Sequence, residues 1–580
     1  VAAATIAAWG WLRPVPAGVD SGRFDLTLDG GQGLTLNVDT DAAASASSAV
    51  SPDGSRVVFA GGQNGDTALY ERRLDSFEIR RLPDTEGGLS PFFSPDSRAL
   101  AFLTNTELKV LRFDGGSVTA IADVATNVRG GFWADDGTIY LGHSNDPGPT
   151  RGILTLPSSG GEPTVLVEPE DPSVSYRYPQ LLAGGDLLLI TIEDAESNAR
   201  SDKEIAVYQR STGEFRSLGR RGSYARYLPT GHLVFGRDNK LLAVPFDLER
   251  LEITGAEVVV VGNLGVDDNY GFARWSATDD GTLVYAEPVS LLGRLVWVDA
   301  EGRIEALTDQ VRDFRTPEVS PDGRRVAVWL VEQGENDIWT YDIRRGVLDR
   351  LTNTQQAWTA QWARNGSHVL FHSDRGGAWG AWMIALDGSS QPEPVAVNET
   401  RGFNRLTLHP DGVTRVYSSG VKIFIHREGQ DRDELFFETS ASLSSPSLSP
   451  DGAWLAYISD EQGSNQLYVR SFPDGGRRLV VSTDGASEPR WARDGRRLYF
   501  RAGAQFMAAS FDPMADPPAG VPETLFELGV RPGWGGNPNY DVAADGRVLA
   551  VQSDSRITNN ELKVVRGWFS ELESLVPTGR

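Results

Sequence analysis

Short runs of alternating apolar and polar residues, none longer than about eight, cover most of this chain and are separated by turn residues. Residues 317–353 show the unit most clearly. Segment 318–320 is a short strand ended by Pro321-Asp322-Gly323, and 324–330 alternates as a second strand. Segment 337–343 is a third, with Ile338, Thr340 and Asp342 on one face and Trp339, Tyr341 and Ile343 on the other. After Arg345-Gly346, residues 347–352 form a fourth. Proline presets φ at such turns, while Asp and Gly tolerate the remaining torsions. Helical periodicity appears over no useful length, so the pattern predicts an all-β chain.

The unit repeats. Ser51-Pro52-Asp53-Gly54, Ser94-Pro95-Asp96-Ser97, Ser320-Pro321-Asp322-Gly323 and Ser449-Pro450-Asp451-Gly452 are its clearest turns, and eight degenerate copies bring the series to twelve, about 45 residues apart. Four antiparallel strands per period is the pattern of a β-propeller blade. Twelve blades exceed the usual ring, so the spacing predicts two tandem six-bladed β-propellers of four-stranded antiparallel blades. The frame breaks near 287–294, which places the first propeller at 23–290 and the second at 291–575. An open blade would leave a sheet edge unpaired. Segments 23–28 and 561–569 are the candidates to complete one, and the pattern does not say which ring each completes.

With 580 residues, core burial is not limiting for two such domains. The absence of cysteine excludes disulfides, cysteine nucleophiles and Cys-ligated zinc. A formal net charge of -24 argues against nucleic-acid or anionic-membrane binding. Residues 1–12 are apolar and carry Trp9 and Trp11. They are too few to span a bilayer, and they read as the outer end of a membrane anchor, with 1–22 as anchor and tether. A signal-peptide remnant or a tail packed on the propeller is the alternative.

The succession of apolar-Ser-Pro-Asp-Gly, a Ser-Asp-(Arg/Glu)-x-Gly loop, Ile/Leu-Tyr/Trp and a closing Leu-Thr resembles the TolB-like, WD40-like (PD40) propeller repeat of bacterial envelope proteins. The apolar N-terminus, Arg294-Leu295-Val296-Trp297-Val298-Asp299 and residues 561–572 also resemble the extracytoplasmic C-terminal region of membrane-anchored bacterial serine/threonine kinases. The resemblance implies a periplasmic location, tethered to the inner membrane, and a role in sensing or protein binding. Because propellers host scaffolds, enzymes and receptors alike, the fold does not choose among these.

Catalytic signatures are missing from the sequence. It holds no Gly-x-Ser-x-Gly elbow, His-Glu-x-x-His, P-loop, or kinase His-Arg-Asp or Asp-Phe-Gly element. Any kinase domain would lie upstream of Val1. His368 and His372 sit on one strand roughly 13 Å apart, too far to share an ion. No cofactor or metal is expected, and Asp267-Asp268-Asn269 reads as turn chemistry.

One constellation suits a ligand. Where the chain enters each innermost strand it lines the mouth of a propeller channel. Aligned on the turns, Arg129, Arg177 and Arg315 occupy one position and Arg405 the next, while Arg226, Arg274 and Arg490 directly precede the aligned aromatic. Aromatics interleave, among them Tyr178, Tyr227 and Trp358. The predicted ligand-binding set is Arg129, Arg177, Tyr178, Arg226, Tyr227, Arg274, Arg315 and Trp358, weighted to the first ring, for a small anionic ligand or a peptide carboxylate. The competing reading makes these arginines inter-blade ion pairs. The function expected is a non-catalytic extracytoplasmic sensor or protein-interaction domain, the outer part of a receptor kinase. The alternatives are a soluble periplasmic TolB-like scaffold that docks an envelope protein, and a propeller enzyme with a channel site.

Overall fold

The computed structural model describes residues 22–578 apart from 28–34, 37–47, 64–65, 105, 125–127, 144–151, 172, 195–202, 268–271, 289–291, 333–334, 355, 374, 376–379, 388–389, 397–404, 431, 463, 529, 531–532, 534–535 and 554–560. Residues 1–21 of the proposed anchor and tether (1–22), Asp268, Asn269, and residues 289–291 of the break near 287–294 therefore lie outside the described residues.

The chain divides into two compact units, residues 1–289 with 558–580, and residues 290–557. Among the described residues, the second unit contains six four-stranded antiparallel sheets, while the first contains two of four strands, two of five, a two-stranded pair, and an eight-stranded sheet in which two four-stranded arrays join at the single pair His143–Tyr176. In the first unit the opening strands of successive sheets are Ser48–Val50, Leu89–Phe93, Val128–Trp133, Val174–Leu181, Ser223–Leu228 and Trp275–Ala277. Each neighbours the next, directly or through Phe272–Ala273, and Trp275–Ala277 neighbours Ser48–Val50, so the order returns to its start. Apolar clusters fill the spaces between successive sheets. Ala49, Leu69, Leu100 and Phe102 pack between the first two sheets, and Leu26, Val57, Phe59 and Val564 between the last and the first. The second unit repeats the scheme, with clusters such as Ala327, Trp329, Trp362 and Phe371 between adjacent sheets. The inner strands bury apolar side chains on both faces because each sheet is sandwiched, which explains runs such as Leu188-Leu189-Ile190, while outer strands such as Ile304–Ala306 are exposed.

The Ser-Pro-Asp-Gly turns hold themselves together. The Ser51, Ser94, Ser320 and Ser449 hydroxyls donate to the Asp two residues on at 2.5–2.6 Å. The same oxygens accept the backbone N–H five residues on, at 2.9–3.1 Å. That hydroxyl holds the Asp96 and Asp322 carboxyls below the ordinary carboxylate range.

Two expectations are corrected. Segments 558–575, placed with the second domain, belong to the first unit. Strand Gly22–Thr27 pairs with Glu561–Arg566, which pairs with Leu283–Tyr285, so both terminal segments complete one sheet. In the second unit, Gly293–Val298 pairs instead with Val548–Ser553, a two-plus-two closure. Segment 561–569 also does not remain a strand. It stops at Arg566, and left-handed Gly567 opens the helix Trp568–Leu575. Trp568 and Leu572 are fully buried beside Leu264 and Leu283, and a ring nitrogen of His232 lies 2.6 Å from the Val576 carbonyl.

Candidate functional site

Eight opening strands carry the same irregularity: one extra residue slips the register against the second strand. At seven of these bulges Ser90, Tyr178, Tyr224, Thr316, Thr359, Ser445 or Glu488 holds φ between +44° and +57°, and at the eighth Gly130 holds φ +85°. A bulge re-aims the residues around it, and a left-handed non-glycine residue persists only where its surroundings over-determine it. The repeated bulge turns the residue before it, the left-handed residue and the residue two beyond away from simple alternation.

The residue two beyond the bulge, and its counterparts Thr407 and Asp541 on strands without one, reach the next sheet. Gln180 binds both the N–H and the carbonyl of Tyr227, at 2.8 and 3.1 Å. Glu318 accepts the Trp362 N–H at 3.2 Å, and Thr407 the Leu448 N–H at 3.3 Å. Asp541, in the last sheet of the second unit, accepts the Val319 N–H at 2.8 Å. Two indoles repeat the link, with Trp362 Nε1 donating to the Glu318 carbonyl at 2.9 Å and Trp491 Nε1 to that of Ser447 at 3.0 Å. Opening-strand amides that face away from their own sheet are thereby paired, as buried N–H groups require.

In the first unit the structure gathers part of the predicted set. Tyr178 is fully buried and meets the edge of Tyr224 at 5.4 Å, and Tyr224 meets Trp275 at 6.0 Å. The Arg226 guanidinium lies 4.3 Å from the Tyr224 ring centre and donates to the Tyr178 carbonyl at 2.9 Å. Phe272 packs against the same tyrosines, with the Arg274 guanidinium 5.7 Å from its ring centre. Arg177 is buried, ion-pairs with Glu193 and donates from Nε to Ser175 at 2.9 Å. Arg129 is buried and donates to the Val128 carbonyl at 3.3 Å. Tyr227 stands apart, its ring against Phe246 at 6.0 Å. Burial first, and Arg129 second, depress His143 to about 4, so it is neutral at physiological pH.

In the second unit Arg315 grips Asp313 through two bonds of 2.9 and 2.7 Å and lies 4.6 Å from the Trp329 ring centre. Trp358 is half-buried opposite His372. The acidic partners of Arg177 and Arg315 lie on their own sheets, not across blades. The link between distant strands is elsewhere: Arg490 donates to Glu318 at 3.2 Å and has Asp541 at 4.0 Å. Arg493 caps the same region, donating to the carbonyls of Val319, Ser320 and Pro321 at 2.9–3.2 Å. Beside this network lies a cavity of about 20 Å³ lined by Thr316, Gln361, His372, Arg405, Arg490 and Asn537 among others. Glu318, Asp541 and Glu488 were not in the predicted set. For Glu318 and Asp541 the signal was a polar residue one position before the aligned strand residue, here Val319 and Val542, a position read only for arginine, whereas Glu488 stands at the bulge itself. Among the described residues no cluster of acids and histidines suits a metal, and no helix is long and apolar enough to cross a membrane.

Over 144 residues, 23% of this chain and 27% of the relative, the chain is 29% identical to the Tol-Pal system protein TolB of Pasteurella multocida. That segment is similar in sequence to part of a TolB protein. A second TolB, from Mannheimia succiniciproducens, is 28% identical over 137 residues, 22% of this chain and 25% of that one. The chain spans about a quarter of the length of these curated relatives. The solved structure of a putative TolB from Agrobacterium tumefaciens aligns with a TM-score of 0.38 and 16% identity, over 46% of this chain and 99% of that one. No family model matches the chain. The two sequence matches bear on the resemblance to TolB and not on the kinase resemblance.

Proposed function

We propose that this chain is a non-catalytic, TolB-like periplasmic scaffold whose two units are six-bladed propellers, and that it works by docking another envelope protein. The partial identity to TolB proteins carries this reading. The cyclic order of sheets and inter-sheet cores in the first unit supports ring closure there. Its acidic charge suits a protein partner with a basic face better than nucleic acid.

The test is photo-crosslinking in cells. A crosslinker is placed at exposed Phe77 and, separately, at exposed Met514, and products are resolved after periplasmic fractionation. A discrete adduct with one envelope protein, from one position and not the other, supports docking. A cytoplasmic location, or no adduct from either site, refutes it. Reading the frame upstream of Val1 separates this scaffold from the receptor-kinase outer domain, which requires a kinase catalytic loop and a full hydrophobic span.

A further inference from the structure

In five of the second unit's six sheets, the third and fourth strands are joined by between four residues (343–346) and seven (386–392). In the sheet that opens with Ser487–Trp491 the same connection runs from 511 to 522, twelve residues. A loop of that length without secondary structure of its own is uncommon between adjacent strands and usually carries function. It does not hang free. Pro513, Pro517, Pro518 and Pro522 restrict its torsions, and Phe511 and Pro518 are buried beneath it. The Asp512 N–H donates to the Pro518 carbonyl at 2.8 Å, and the Gly520 N–H to the Ser510 carbonyl at 2.9 Å. From the preceding sheet, Arg477 donates to the Ala515 carbonyl at 3.3 Å and to the Asp516 carboxylate at 2.9 Å. Held in this way, the loop puts Met514 and Val521 into solvent, 90% and 91% exposed, whereas the other exposed large apolar side chains described in this unit are each less than half exposed. Apolar anchors on a braced loop lose little freedom when a partner closes over them.

The surrounding charge selects the partner. Residues 511–527 hold Asp512, Asp516, Glu523 and Glu527 and no lysine or arginine. Arg477 offsets Asp516, and the exposed Asp512, Glu523 and Glu527 remain around the two apolar side chains. We propose that loop 511–522 docks a protein partner, seating Met514 and Val521 in an apolar cleft whose rim carries Lys or Arg. A second copy of this chain, with its net charge of -24, and an anionic membrane are both disfavoured by the same charge. The inference rests on the docking reading above and names the surface that performs it.

The test is photo-crosslinking in cells from Thr524, an exposed residue on the strand that follows the loop, with Phe77 as the second position in the same full chain. The expected result is an adduct from Thr524 whose crosslinked peptide maps to one identified envelope protein, at an apolar stretch beside Lys or Arg. Met514→Ser/Val521→Ser should reduce that adduct about tenfold or more. The melting temperature should not change, because neither side chain is packed. With the identified partner purified, calorimetry should show Glu523→Lys/Glu527→Lys weakening binding most at low salt. An adduct that survives Met514→Ser/Val521→Ser overturns the inference, as does an adduct joining two copies of the chain. An adduct from Phe77 and none from Thr524 overturns it while leaving the docking reading standing. No adduct from either position overturns both.

Discussion

Replacing Glu318 with alanine removes two supports at once, the ion pair to Arg490 at 3.2 Å and the acceptor for the Trp362 N–H at 3.2 Å. Both ends are shielded: the Glu318 and Arg490 side chains are each 13% exposed. Removing one partner of a buried pair typically costs about 3–5 kcal/mol, because the remaining charge is stranded. At ~2–4 °C per kcal/mol for a domain of this size, the second unit's transition should fall by roughly 10 °C. Glu318→Gln keeps an acceptor for Trp362 and should recover about 1 kcal/mol of that loss. Arg490→Met strands Glu318 and Asp541 and should cost a similar amount. The double variant Glu318→Ala/Arg490→Met should cost less than the sum of the singles, with a coupling of about 1–3 kcal/mol. Urea unfolding of the four proteins, followed by tryptophan fluorescence, measures the cycle. Additive losses, or a Glu318→Ala cost below about 0.5 kcal/mol, the scale of a solvent-exposed pair, would refute the argument that this contact knits distant strands.

Other consequences can be measured on the same chain. Gly130→Ala puts a Cβ 2.6 Å from the Tyr178 ring at a residue with φ +85°, and should cost about 1–3 kcal/mol, read as a lower melting temperature of the first unit. His143 is neutral in the fold, with its pKa depressed from 6.5 to about 4, so the unfolded chain takes up the proton first as pH falls. The stability it contributes is present above pH 6.5 and lost towards pH 4, about 2 kcal/mol of it by pH 5. His143→Gln should flatten that part of the curve in urea titrations at pH 7 and pH 5. Ending the chain at Ile557 removes Glu561–Arg566 and the helix from the sixth sheet of the first unit. Limited proteolysis should then digest the first unit while fragments of 290–557 persist.

The strands, the turns and the repeat are legible along the chain because their causes are local. Alternation sets which faces are buried, and Ser-Pro-Asp-Gly closes its own hydrogen bonds within five residues. The bulges are not legible in this way, since Tyr178, Thr316 and Glu488 are residues that ordinarily avoid positive φ. Their torsions come from neighbouring sheets that take up the displaced N–H groups. Nor does local pattern say that residues 22–27 and 561–566 share a sheet, because either edge could accept the same alternating strand. Arginines were visible at the channel positions, but which of them meets an acid depends on contacts between residues as far apart as 318 and 490. Local preference is enough to specify an all-β repeat with charged, aromatic-rich entries to its opening strands. The closure of each unit and the partners of those charges come from long-range contacts, because both rest on pairings between segments that no short-range preference brings together.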